Sequence, residues 1–272
     1  MPPAASLLDI VRENFAYSFL FDFARYLIGA SFIAALVWLL RKTSWASRQI
    51  QLRQASRTDL RRELGAAFRT VLVYTVAAMP MVWAFQRGYL RTFSGQPSLL
   101  GYAVYLAAIL VAHDAWFYWT HRAMHQPRLY HAFHRFHHLT VTPTAWSAYS
   151  FAVPEAFMMF LFMPVFFALV PTPIPVVFAF LAVMILRNAM GHAGLELHPR
   201  GWASHPLLKW ISTTTHHDMH HGVSYRHNYG FYFTWWDKLM GTEHPDYVKT
   251  FDRVTAPLSA VGESPVIPAA VS

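Results

Sequence analysis

The chain concentrates histidine in three short motifs: HRAMH at residues 121–125, HRFHH at 134–138 and HHDMHH at 216–221. Histidines three or four positions apart share a helical face, so each motif predicts converging imidazoles. Several imidazoles together favour a transition metal over magnesium or calcium. Eight ligands are too many for one tetrahedral ion, so two metal ions are predicted. The eight predicted catalytic ligands are His121, His125, His134, His137, His138, His217, His220 and His221.

A ninth ligand is predicted at His192, which directly follows a long apolar stretch in the sequence GHAGLELHP. His198 has a weaker case, because it stands beside Pro199 and is typical of a loop residue. The same motifs taken singly are also compatible with histidines at a membrane interface. Three motifs on one side of a membrane favour metal binding over that alternative.

Three further residues are predicted to support the ligands without binding metal, namely Asp114, His216 and Asp218. An ionisable residue at membrane depth is costly, and Asp114 lies seven positions before His121. Its carboxylate could orient a ligand imidazole through the second ring nitrogen, or could instead pair with Arg122 or Arg187. Other polar residues receive simpler assignments: a helix-dipole role for Glu155, packing or support of a ligand for His113, and surface or packing positions for His131, His205, His227 and His244.

The composition indicates a membrane protein. Of the 272 residues, 55% are hydrophobic and 13% are charged, about half the roughly 25% that is typical of globular proteins. The net charge of +8 does not indicate nucleic-acid binding, because much of the excess lies in one segment between apolar runs, as in a cytoplasmic loop. With no cysteine, disulfides, iron–sulfur clusters and thiolate chemistry are excluded. The start of the chain does not resemble a cleaved signal peptide.

A membrane-spanning helix needs about 20 mostly apolar residues. Candidates lie at residues 21–40, 67–85 and 99–119, followed by a long apolar run at 151–190. Prolines in the segment PTPIP, residues 171–175, divide this run into a predicted hairpin with arms at 151–170 and 175–190, the second arm being short for a full span. The predicted domains are an N-terminal membrane region at 1–98, a catalytic region at 99–250 and a flexible tail at 251–272.

The basic loop at residues 41–66 sets the predicted topology. If this loop is cytoplasmic, the first and second spans run inward and outward, and the third returns inward. The hairpin then leaves and returns, so all three histidine motifs reach the cytoplasmic face. This arrangement depends on the hairpin, because a single crossing at 151–190 would divide the motifs between the two faces. The basic residues of the loop are Arg41, Lys42, Arg48, Arg53, Arg57, Arg61 and Arg62.

These motifs, with HDAWFYWTHRAMH at 113–125, TPTAWSAY at 142–149 and NYGFYFTWWDKLMGTEHP at 228–245, resemble the fatty acid hydroxylase and sterol desaturase superfamily. The resemblance covers roughly residues 100–246 and points to a bacterial sterol-desaturase-like branch. It implies an all-α integral membrane bundle of about four transmembrane helices, arranged as two hairpins, with a cytosolic helical cap that holds a histidine-rich dimetal site. The eight motif histidines match the family's ligands, and His192 matches the single histidine between its second and third motifs.

The resemblance also implies a function. The expected activity is hydroxylation or desaturation of a sterol-like or fatty acyl lipid from the bilayer, with two iron ions, or zinc in a purified preparation, and O2. Electrons are expected from a separate ferredoxin-type or cytochrome-type protein with its reductase. The expected location is a bacterial inner membrane. The alternatives are a carotenoid or ether-lipid monooxygenase of the same superfamily, or a histidine-rich metal transporter. A zinc hydrolase is less well supported, because no H-E-x-x-H motif occurs.

Overall fold

A computed structural model describes residues 6–93 and 95–257 of the chain. Within these residues the secondary structure is helical, with isolated β-bridges and no β-strand, as the sequence predicted. The helices are α1 (Leu7–Leu40), α2 (Arg57–Gln86), α3 (Leu99–Met124), α4 (Pro127–Phe133), α5 (Val153–Phe160), α6 (Phe162–Leu169), α7 (Ile174–Gly191), α8 (Thr214–Gly222), α9 (Trp235–Leu239) and α10 (Tyr247–Val254).

Four of these helices, α1, α2, α3 and α7, are long and apolar enough to cross a membrane. The chain is therefore a multi-pass membrane protein built as a helical bundle. The two N-terminal helices begin with the same local signal, because Ser6 and Ser56 each cap a helix and pair with an aspartate three residues later. Both helices extend beyond the apolar segments at 21–40 and 67–85.

The apolar run at 151–190 forms the predicted hairpin, but its two arms differ from the prediction. The second arm, α7, has 18 residues and is long enough to span. The first arm is the interrupted one, because a break at Leu161 divides it into α5 and α6. Pro164 follows this break and has no backbone N–H to donate to the preceding turn, which explains the interruption.

The first hairpin packs against the second through small residues. Gly29 of α1 lies against Ile185 of α7, and a Cβ atom at Gly29 would lie 2.8 Å from Ile185 Cγ1. A buried core that includes Tyr26, Val71 and Tyr149 joins α1, α2, α7 and the short helical turn Ala145–Tyr149. The bundle therefore holds the turn that follows the second histidine motif against the first two spans.

The C-terminal part of the described chain is more ordered than predicted. Phe251 and Val254 of α10 are buried, and Phe251 packs with Tyr247 and Met219. The first residues of the predicted tail at 251–272 are therefore folded, because the apolar face of α10 covers α8. The remainder of that segment, residues 258–272, lies outside the described residues.

Candidate metal centre

The third histidine motif is positioned by polar contacts at the start of α8. Thr213 accepts a hydrogen bond from the backbone of His216, and Glu196 Oε2 accepts from the backbone and hydroxyl of Thr215. The other oxygen of Glu196 accepts from both the backbone N–H and Nδ1 of His198. These contacts explain why His198 lies away from the other histidines, whereas His192 at the end of α7 lies among them.

All nine histidines predicted as ligands come together in two adjacent groups, and eight of them are buried. Within each group, the ligand atoms lie within 4.8 Å of one another. The hairpin is what returns the chain to the level of the first two motifs. The five-histidine group contains His121, His125, His134, His138 and His220, and the four-histidine group contains His137, His192, His217 and His221.

The second and third motifs each contribute to both groups, which differs from the prediction of one helical face per motif. His134 and His138, four residues apart, share one group, whereas His137 belongs to the other. One reason is local backbone geometry, because α4 ends before His134 and His137–Leu139 forms a 3₁₀ turn. The third motif lies entirely on α8 and divides in the same way, with His220 separated from His217 and His221.

The separations of the ring nitrogens fit shared metal ions. In the five-histidine group, Nε2 of His121 lies 2.9 Å from Nε2 of His134 and 3.3 Å from Nε2 of His125. Two nitrogens bound at about 2.1 Å to one ion lie roughly 3.0–3.4 Å apart at octahedral or tetrahedral angles.

The four-histidine group shows similar spacing. Nε2 of His192 lies 3.4 Å from Nε2 of His137 and 3.1 Å from Nε2 of His217. In addition, the buried Nε2 of His220 in the other group has no protein partner among the described residues. Both groups therefore offer converging imidazole nitrogens that suit a transition metal.

Most of the ligand imidazoles are oriented through their second nitrogen, as metal sites require. With Nε2 facing the metal position, the Nδ1–H groups donate to backbone carbonyl oxygens. These bonds turn the rings so that Nε2 faces the centre of each group. The pairs are His121 with Tyr229, His137 with Ser150, His192 with Asn188, His220 with His227, and His221 with Thr140.

His134 differs from these five residues, because its Nδ1 contacts a carboxylate, Oε1 of Glu155, at 2.7 Å. The buried Nδ1 of His125 has no partner among the described residues. Glu155 lies in the first turn of α5, where the sequence predicted only a helix-dipole role.

Elsewhere in the centre, burial lowers the pKa of His217 and of His220 well below the usual histidine value. These imidazoles are therefore neutral at physiological pH and able to bind metal.

The three predicted supporting residues act differently from the prediction, since none hydrogen-bonds a ligand imidazole in the described part of the chain. Asp114 Oδ1 accepts from the backbone N–H groups of Tyr232 and Phe233, because its helix faces that loop. Asp218 accepts from Gln51 Nε2 at 2.7 Å. Nε2 of His216 lies 3.4 Å from Asp237 Oδ2, on the side of α8 away from both groups.

A supporting residue that the sequence did not indicate is Asp237. Its carboxylate is buried and accepts from the backbone N–H groups of Tyr229 and Gly230. This contact holds the carbonyl of Tyr229 where His121 can donate to it. Glycine is required at 230, since a Cβ atom there would lie 2.8 Å from Asp237 Oδ2. Only the fold brings these residues together, although the pattern N-Y-G before W-W-D was visible in the sequence.

A large apolar cavity of about 760 Å³ ends beside the metal centre. A small void among the histidines, lined by residues of both groups, shares four lining residues with this cavity. The side chains of these four residues therefore lie between the cavity and the void among the histidines. The shared residues are Phe117, Phe151, Met159 and Asn188.

The fold and the site together define an integral membrane protein with two adjacent groups of histidines, each able to hold a metal ion, at the end of an apolar cavity. Comparison with protein families identifies its type more closely, because the fatty acid hydroxylase model matches residues 106–242. The chain belongs to the fatty acid hydroxylase family. It is an oxidoreductase of a membrane lipid-oxygenase family, which does not favour the metal-transporter alternative.

Curated relatives agree with this assignment. The methylsterol monooxygenase erg25B of Aspergillus fumigatus is 26% identical over 223 residues, which cover 78% of this chain and 74% of that protein. The Delta(7)-sterol 5(6)-desaturase ERG3B of Gibberella zeae is 27% identical over 189 residues, covering 68% and 56%. The Delta(7)-sterol 5(6)-desaturase erg3B of Aspergillus fumigatus is 25% identical over 259 residues, covering 90% and 72%. No solved structure matches the chain significantly.

Proposed function

We propose that the protein is a di-iron oxygenase that hydroxylates or desaturates a sterol-like or fatty acyl lipid, with O2 and external electrons. One observation carries this proposal: nine histidines converge in two groups, and these groups lie beside one end of an apolar cavity. When bound, two iron ions would supply the activation of O2 for attack on an unactivated C–H bond. Zinc suits the same ligands and is expected in some purified preparations.

In this proposal the two histidine groups each hold one ion. The Nδ1 contacts fix the imidazole rings before metal binds, so little reorganisation is needed. Phe117, Phe151 and Met159 form the apolar border between the ligands and the cavity. These side chains exclude water from the reacting carbon, which protects the reaction from side products.

Electrons would come from a separate ferredoxin-type or cytochrome-type protein with its reductase. A point of approach lies at Tyr225, which is exposed and stacks on His125 with ring centroids 6.0 Å apart. Arg226 lies 5.9 Å from the same tyrosine ring and adds positive charge there. An acidic donor would therefore be attracted to a surface in direct contact with a ligand.

We also propose that the protein lies in a bacterial inner membrane and that its histidine centre faces the cytoplasm. Support comes from the basic segment between α1 and α2, because such segments favour the cytoplasmic side. Arg48 donates to the carbonyl of His198, and Arg62 donates to the carbonyl of Leu139 beside the second motif. The basic segment therefore lies on the same side as the metal centre.

The test is oxidation of lipid by the full-length protein in lipid nanodiscs, supplied with ferrous iron, O2, a ferredoxin and its reductase. Mass spectrometry should detect a product that carries oxygen or a new double bond, and about two irons should bind per chain. His137→Ala and His220→Ala should abolish the product, whereas the exposed control His131→Ala should retain it. Unchanged lipid profiles in cells with and without the gene, together with metal-dependent growth, would refute the proposal.

A further inference from the structure

The wall of the apolar cavity contains one ion pair, within the first membrane-spanning helix. Nη2 of Arg25 lies 2.7 Å from Oδ1 of Asp22, and both residues line the cavity. Their side chains are only 9% and 14% exposed. Charged residues at this depth of a membrane protein are costly and mark functional positions, and here the pair faces the space in which a lipid would bind.

This pair is incompletely satisfied by the protein. Nε and Nη1 of Arg25 are buried and have no hydrogen-bond partner among the described residues. The hydroxyl of Tyr149, whose ring centre lies 5.8 Å from the guanidinium carbon of Arg25, is buried beside that guanidinium and has no other partner among the described residues. Buried donors without acceptors cost free energy, so a purely structural pair would be expected to have all its polar atoms bonded. The missing partner is what a ligand could supply.

The position of the pair relates it to the metal centre. The ring of Tyr149 lies 6.1 Å from the ring of Phe151, and that ring lies 5.3 Å from the ring of His137. The rings of Tyr149 and Phe151 therefore connect the ion pair to a ligand of the four-histidine group. A lipid in the cavity can therefore contact Arg25 with one part while another part reaches the metal centre.

We infer that Asp22, Arg25 and Tyr149 form a polar subsite that binds the uncharged hydroxyl group of an otherwise apolar lipid. This inference rests on the proposed function, of which it specifies the substrate class. A hydroxyl can donate to the carboxylate of Asp22 and accept from Arg25 or Tyr149, and it leaves the net charge of the pair unchanged. A fatty acid carboxylate can only accept, and it would place a second negative charge beside Asp22.

The test is saturation binding of three radiolabelled probes to the full-length, metal-free protein in nanodiscs: cholesterol, 5α-cholestane, which lacks the hydroxyl, and palmitate. Cholesterol should bind about tenfold or more tightly than cholestane, as expected for hydrogen bonds to charged groups. The double variant Asp22→Asn, Arg25→Met should lose this preference while it binds cholestane as before. Tyr149→Phe, which keeps the ring, should reduce the preference in part.

The matched control is Arg12→Met, Glu13→Gln, which removes one base and one acid from exposed positions of the same helix outside the cavity. This control should keep the preference for cholesterol. The inference is overturned if the wild-type protein has no such preference, if no probe binds saturably, if palmitate binds more tightly than cholesterol, or if the double variant keeps the preference. Because these assays need no turnover, a preference for the hydroxyl without any lipid oxidation would overturn only the proposed function.

Discussion

Oε1 of Glu155 lies 2.7 Å from Nδ1 of His134, and both side chains are almost fully buried. This contact joins the first turn of α5 in the second hairpin to the histidine that directly follows α4. A carboxylate that accepts from a ligand imidazole fixes the ring and increases its basicity. The hairpin therefore does more than return the chain to the metal centre, because its first turn orients a ligand.

Replacing Glu155 with alanine should weaken metal binding by about 10–100-fold, because His134 would lose the acceptor that orients it. The measurement is competitive titration of ferrous or zinc ions against a chelator. Glu243→Ala serves as the control, since Glu243 pairs with Lys238 at a partly exposed position. Equal affinity in the Glu155 variant and the wild-type protein would show that the contact does not support the ligand.

The two histidine groups should lose metal separately. His134→Ala is expected to lower the bound metal by about one ion per chain, and His217→Ala should remove the other ion, since each residue belongs to one group. Metal content after gel filtration, measured by plasma mass spectrometry, distinguishes the two groups. The exposed His205→Ala should leave the content unchanged. If either ligand variant lost both ions, the two groups would not be independent sites.

Filling the cavity should impair lipid oxidation without disturbing the metal centre. Ala78 of α2 lines the cavity, whereas its neighbour Val76 is 60% exposed and faces outward. Ala78→Trp is expected to reduce the yield of oxidised lipid at least about tenfold while metal content stays at the wild-type level, because the indole would occupy the space of the substrate. Val76→Trp adds a larger side chain on the same helix and should retain activity, so a comparable loss in both variants would argue against the cavity as the substrate site.

Packing between α1 and α7 should depend on glycine at position 29. Gly29→Ala would place a methyl group 2.8 Å from Ile185 Cγ1, and the resulting overpacking should lower the free energy of unfolding by about 1–3 kcal/mol. Gly65→Ala in α2 has no atom within 4 Å of the added methyl group and should stabilise the helix by about 0.5–1 kcal/mol. Thermal unfolding in detergent, followed by tryptophan fluorescence, should therefore shift in opposite directions, and a stabilised Gly29 variant would contradict the packing.

The sequence by itself determined the class of the protein and the nine candidate ligands. Apolar runs of the length of a membrane span identify α1, α2 and α3, because helix length in a bilayer is a local property, whereas the arm that forms α7 was predicted to be short for a full span. The spacing of the histidines identified the candidate ligands, because transition-metal sites need several imidazoles close together. His192 was found in this way as well, since the predicted hairpin places it at the face where the other motifs lie.

Only the tertiary structure decided how these residues are shared and supported. The division of HRFHH and HHDMHH between two groups depends on the orientation of α8 relative to the 3₁₀ turn at His137, which local spacing does not encode. The acceptors of the Nδ1–H groups are mostly backbone carbonyls, which every residue type carries, so no sequence pattern marks them. Contacts such as Glu155 with His134 and Arg25 with Tyr149 join residues that are distant along the chain, and they exist only because the helices pack together.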